Sequence, residues 1–136
     1  MKCRPVANTF PISFFFHCYI VVKNQDGSLQ TIEGGEEFSQ PVGTLVAFTK
    51  DGDACGANKS SDPVYYVSDG NSDAAVINCL KNNTDLIRAM HLGYHFLGPN
   101  SNRFVVEVMG SCGRTVKLSW RAVGATVPFN PPPIPQ

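Results

Sequence analysis

The chain has 136 residues, 43% of them hydrophobic and 16% charged, and its 11 basic and 11 acidic side chains cancel to a net charge of zero. That length supports one domain with a real core, and the lack of any basic block excludes the electrostatic footprint of a nucleic-acid reader. So low a charge density gives little electrostatic defence against self-association, which leaves room for a homo-oligomer or a protein partner.

Met1-Lys2-Cys3-Arg4 is basic and Ile12 to Val22 is mostly apolar, the outline of a signal peptide. That reading fails because His17 interrupts the run and no small-x-small cleavage site follows. The run is also too short and too interrupted to span a membrane. The expectation is a soluble chain, cytoplasmic or delivered without a classical signal peptide. Ser13 to Val22, rich in aromatic and β-branched residues, predicts a central strand. Asn24-Gln25-Asp26-Gly27 is a turn signal, and the alternation over Ser28 to Glu33 completes a β-hairpin that Gly34-Gly35 breaks. Thr44 to Thr49 reads as a third strand, entered through Pro41-Val42-Gly43.

Lys50 to Ser61 is a polar loop, and Val64 to Val67 is short and apolar enough for a fourth strand. Asn71-Ser72-Asp73 signals a helix start, after which Val76, Ile77, Leu80, Leu86, Ile87 and Met90 recur near helical spacing. Asn82-Asn83-Thr84 divides that stretch into two helices with Thr84 capping the second, and Gly93 or Gly98 ends it. Gly98-Pro99 turns into Asn100-Ser101, and the apolar segment from Ser101 to Met109 reads as a further helix that Gly110 ends. Thr115 to Val127 supplies a last strand around Val116, Leu118 and Trp120. Strands followed by helices predict an α+β fold, a small antiparallel sheet packed against two or three helices. Residues 1–127 form this single domain, and 128–136, with four prolines, form an extended tail.

The cysteines are Cys3, Cys18, Cys55, Cys79 and Cys112, with no C-x-x-C pair and no zinc-ligand spacing. An odd, unpatterned count fits a reduced compartment, with Cys18 and Cys79 as small core residues and Cys55 and Cys112 as thiols to test. His91 and His95 are four apart near a helix end, but Gly93 lies between them and no third ligand is evident, so neither metal nor cofactor is expected. Asn82-Asn83-Thr84 and Asn58-Lys59-Ser60 fit the glycosylation acceptor pattern, which means little without a secretion signal. No P-loop, dinucleotide fingerprint or G-x-S-x-G elbow is present.

Two positions point to chemistry. Ser101 falls at a helix N-terminus, where backbone N–H groups and the helix dipole favour developing negative charge. His17 lies in the most strand-like segment, where it can be held as a base. The plainer reading of Asn100 and Ser101 is ordinary helix capping. If Asp26-Gly27 forms a two-residue turn, His17 faces Glu36 and Ile20 faces Glu33, which makes Glu36 the expected carboxylate partner and Glu33 its reserve.

These segments resemble the permuted papain-like family related to lecithin-retinol acyltransferase, with its bacterial amidase-like and endopeptidase-like members. Phe16-His17-Cys18-Tyr19-Ile20-Val21-Val22 is similar to the family's His strand, and Thr31-Ile32-Glu33-Gly34-Gly35 to the strand after it. Asn100-Ser101-Asn102-Arg103-Phe104-Val105 resembles its nucleophile motif, with Ser101 where the family places Cys and Asn102 where an acidic residue is common. The resemblance implies a permuted papain-like fold and acyl transfer on an amide or ester of a peptide, peptidoglycan-like, glycopeptide or lipid-linked substrate. Ser101 would be the nucleophile and His17 the base. The Ser101 or Asn102 backbone N–H, with the Asn100 or Asn102 side chain, would hold the oxyanion. The serine in place of cysteine also admits a catalytically inactive binding or interaction module. A third reading is a thiol enzyme using Cys55 or Cys112 with His17, His91 or His95.

Overall fold

Aromatic and β-branched side chains alternate between core and surface along Phe16–Lys23, and this segment is the strand on which the rest is assembled. The computed structural model describes residues 1–5, 15–36, 43–52, 74–95 and 98–129. Four strands, β1 (Lys2–Pro5), β2 (Phe16–Lys23), β3 (Leu29–Glu36) and β4 (Leu45–Asp51), pair antiparallel in the order β1-β2-β3-β4. Among the described residues two helices follow, α1 (Ala74–Ala89) and α2 (Ser101–Ser111). The fold is α+β. Among the described residues, no helix is long and apolar enough to cross a membrane.

The core lies between the sheet and the helices. Phe16, Cys18, Ile20 and Val22 of β2, Ile32 of β3 and Leu45 and Ala47 of β4 bury one face. Against it α2 sets Phe104, Val105, Val108 and Met109, and α1 contributes Leu80. Gly34 is the point of closest approach, since a Cβ there would lie 2.9 Å from Phe104 Cγ. The strand therefore runs through Gly34-Gly35 instead of ending there. The pair serves packing, and backbone hydrogen bonding to β4 continues to Glu36.

The hairpin connection is one residue longer than the sequence suggested. Asn24 N–H donates to Ser28 O and Gly27 N–H to Asn24 O, with Gly27 at φ 84°, so Gln25 to Gly27 form a three-residue loop. Asp26 Oδ1 accepts from both the backbone N–H and the hydroxyl of Ser28, which fixes this longer form. Ile20 consequently pairs with Ile32 and not with Glu33.

Four further expectations are corrected. The first helix is continuous, because Thr84 Oγ1 donates to Leu80 O and Asn83 Nδ2 to Cys79 O, which satisfies these polar side chains within the helix. Leu86 and Met90 point outward instead of joining its apolar face, and the chain reverses after α1 at His91, φ 49°. Gly110 lies inside α2, and no strand forms over 115–127, where the chain runs in turns and Trp120 is 74% exposed. β1 was not anticipated, and Val64 to Val67 lies outside the described residues.

The reading of reduced thiols is overturned for four of the five cysteines, while Cys18 does lie in the core as expected. Cys3 bonds to Cys18 across the β1–β2 pair, and Cys79 of α1 bonds to Cys112 just after α2. The partners come together only through strand pairing and helix packing, which the local spacing does not reveal. Cys55 lies outside the described residues. Removing the Cys79–Cys112 bridge, which closes a separation of 33 residues, should destabilise the chain by about 4 kcal/mol. Urea denaturation of the Cys79→Ala/Cys112→Ala variant measures this, and an unchanged midpoint would show that the bridge constrains little.

Candidate active site

The register places the site. In the observed pairing the odd-numbered residues of β2 and β3 share a sheet face, as Val21 opposite Thr31 shows. One residue less in the turn would have put Glu36 on the His17 face. The actual turn puts Glu33 there. His17 Nε2 lies 3.3 Å from Glu33 Oε2, and His17 Nδ1 lies 2.8 Å from Ser101 Oγ. The carboxylate can only accept, so this network assigns the proton to Nε2 and leaves Nδ1 to accept from the serine hydroxyl. Glu36 is turned away, its Oε1 accepting from the Gly43 N–H at 2.8 Å, and it is not the histidine's partner.

Glu33 is 5% exposed and is held by two cationic or donor groups. Its second oxygen accepts from the half-exposed Lys50 of β4, a contact the sequence reading did not anticipate. The hydrogen bond from His17 is the main cause that lowers its pKa from 4.5 to about 2, with Lys50 adding to it against the opposing effect of burial. A carboxylate depressed in this way contributes stability that is full above its unfolded value and is lost as pH falls through the folded one. The wild type should therefore lose on the order of 3 kcal/mol more than Glu33→Gln between about pH 4.5 and about pH 2. Chemical denaturation of both across that window tests it, and parallel profiles would show that Glu33 is not held as an ion.

Ser101 is the first residue of α2, and Asn100 caps the helix from an extended backbone, φ −147°. Asn100 Oδ1 accepts from the Asn102 N–H at 2.9 Å, and Asn100 Nδ2 donates to Val123 O at 2.9 Å. Asn102 is also engaged: its Oδ1 accepts from Cys18 N–H at 2.8 Å, and its Nδ2 donates to Phe16 O at 2.8 Å and to Val123 O at 2.9 Å. The expected oxyanion role for these two side chains, and for the Asn102 N–H, is therefore corrected, because their donors already have partners. The Ser101 N–H has no hydrogen-bond acceptor among the described residues.

Tyr94 completes the group. Burial, with the nearby charge of Glu36, raises the pKa of its phenol, and the neighbouring Ser101 side chain opposes that shift. The phenol thus stays a hydrogen-bond donor through neutral pH. Tyr94 is placed by its backbone N–H bonding to Gly43 O in the turn before β4. Nothing in its local sequence marks it, since its relevance depends on the long-range contact with Ser101. His91 and His95 are exposed, and no group of three or more His, Cys, Asp or Glu among the described residues could hold a metal ion. Cys112 is a disulfide and not a thiol, so it cannot serve as a nucleophile.

Fold and site together define an α+β chain with a serine, a histidine and a glutamate aligned by hydrogen bonds across a helix N-terminus and two strands. Compared with known protein families, curated proteins and solved structures, the chain matches none.

Proposed function

We propose that this protein is a serine hydrolase or acyltransferase acting on an amide or ester bond, built on a permuted papain-like arrangement. The observation that carries the reading is the 2.8 Å hydrogen bond between Ser101 Oγ and His17 Nδ1, with Glu33 on the other ring nitrogen. A hydroxyl is a weak nucleophile until a base takes its proton, and a base oriented by a third group is the arrangement that activates it.

In this mechanism Nδ1 of His17 takes the Ser101 proton as Oγ attacks the substrate carbonyl carbon. Glu33 keeps the proton on Nε2 and stabilises the positive charge that forms on the ring, while Lys50 holds Glu33 ionised. The oxyanion is met by the Ser101 N–H, which has no acceptor among the described residues, and by the neighbouring Tyr94 hydroxyl, with the positive end of α2 behind them. His17 then gives its proton to the leaving amine or alcohol. Water attacks the acyl-serine in hydrolysis, and an acceptor alcohol or amine does so in transfer. Peptide, glycopeptide, peptidoglycan-like and lipid-linked substrates all present such a carbonyl. The two disulfides support work in an oxidising compartment instead of the reduced one first expected.

The direct experiment is labelling with a fluorophosphonate, followed by peptide mapping. The expected adduct is on Ser101, absent from Ser101→Ala, and its rate is unaffected by iodoacetamide. A folded wild type that takes no label refutes the hydrolase reading and leaves an inactive binding module on the same fold.

A further inference from the structure

One buried polar side chain lies between the reacting groups without a part in the chemistry just described. Asn102 is 2% exposed and directly follows Ser101 in the chain. Its carboxamide holds Cys18 N–H through Oδ1 and Phe16 O through Nδ2, each at 2.8 Å, and these are the two residues that flank His17. The pairing of β2 with β3 is registered from Ile20 to Lys23. At Phe16 and Cys18 the Asn102 side chain therefore presents one donor and one acceptor to the strand, as a neighbouring backbone would. The same Nδ2 also donates to Val123 O, so both amide donors and the acceptor are engaged.

From this geometry we infer that Asn102 is a positioning residue that sets His17 in register with Ser101. It rests on the reading of Ser101 as the nucleophile. The base and the nucleophile sit on elements 84 residues apart in sequence, and one side chain next to the nucleophile grips the backbone on both sides of the base. Only a carboxamide fits this role. A carboxylate supplies the acceptor for Cys18 N–H but turns a second oxygen towards the carbonyls of Phe16 and Val123. A displacement of about 1 Å between reacting groups lowers rates by roughly 10²-fold.

The test uses the full chain and compares wild type with Asn102→Asp. Three quantities are read: the fluorophosphonate labelling rate constant, the labelled fraction, and the ¹⁵N resonances of the His17 ring. The expected result is a rate constant about 100-fold lower within the labelled population, together with a shift of the Nδ1 resonance. A merely structural role would lower the labelled fraction and the thermal midpoint, with the rate constant and the Nδ1 resonance unchanged, and that result overturns the inference. If Asn102→Asp does not fold, Asn102→Gln keeps both polar groups one methylene further out, and the same rate and resonance criteria apply. In the wild type alone, fast solvent exchange of the Asn102 Nδ2 protons would also overturn it. If the wild type takes no label, the nucleophile reading fails. The His17 resonance in wild type and variant still reports whether Asn102 orients the ring.

Discussion

Replacing His17 with alanine is expected to lower the kcat/KM for an activated ester by about 10²- to 10⁴-fold, the contribution typical of a positioned general base. The loss should fall on kcat, since His17 holds the Ser101 hydroxyl and has no assigned contact with the body of a substrate. A local defect is expected in the fold, because the His17 side chain is 17% exposed and Glu33 keeps its second partner, Lys50. The same variant should label with fluorophosphonate more slowly by a similar factor, while its circular dichroism stays that of the wild type. Activity within tenfold of wild type would remove His17 from the mechanism and leave its hydrogen bond to Ser101 as a structural contact.

The largest expected loss of stability follows from Phe104→Ala. Phe104 is fully buried, and its ring occupies the space that Gly34 leaves by having no side chain. The truncation opens a cavity between α2 and β3 that neither element can close, since β3 is fixed by its pairing with β4 on one side and β2 on the other. Losses for buried Phe→Ala changes run to about 3–5 kcal/mol. For a chain of this length that lowers the thermal midpoint by on the order of 10 °C. Calorimetry measures it, and a loss under about 1 kcal/mol would show that the contact between helix and sheet is loose. Phe104 stands three residues after Ser101 on α2, so the labelling rate of the variant should fall with temperature earlier than its circular dichroism changes.

Much of this architecture was legible because it depends on local pattern. The apolar richness of 13–22, the turn at Asn24 to Gly27 and the helix start at Asn100-Ser101 each appear near their expected positions. The bounds shift by a few residues where tertiary contacts extend an element, as at Gly34-Gly35, where glycine is demanded by Phe104 and not by a chain break. The choice between Glu33 and Glu36 was beyond local pattern. It depends on one residue of turn length, which the Asp26 side chain decides by capturing Ser28. Lys50, Tyr94 and the two disulfide pairings were invisible for a different reason. Each is defined by a partner many residues away, and Lys50 and Tyr94 look like ordinary surface and core residues until the sheet brings Glu33 and Ser101 to them.

The rim of β4 carries one more consequence. Two of its backbone groups near the strand's start are covered: Leu45 N–H donates to Leu92 O at 2.7 Å, and Ala47 O accepts from Arg88 Nε of α1 at 2.7 Å. The isolated bridge between Thr44 and Gly93 continues this cover past the strand's start. An exposed strand edge is a template on which other chains aggregate, and repulsion between like-charged molecules is the usual second safeguard. With a net charge of zero, this chain has little of that repulsion at neutral pH. Arg88 and the backbone of Leu92 and Gly93 therefore shield the start of this rim from pairing with another chain, so the end of α1 and the residues after it guard the strand edge as well as connect the elements.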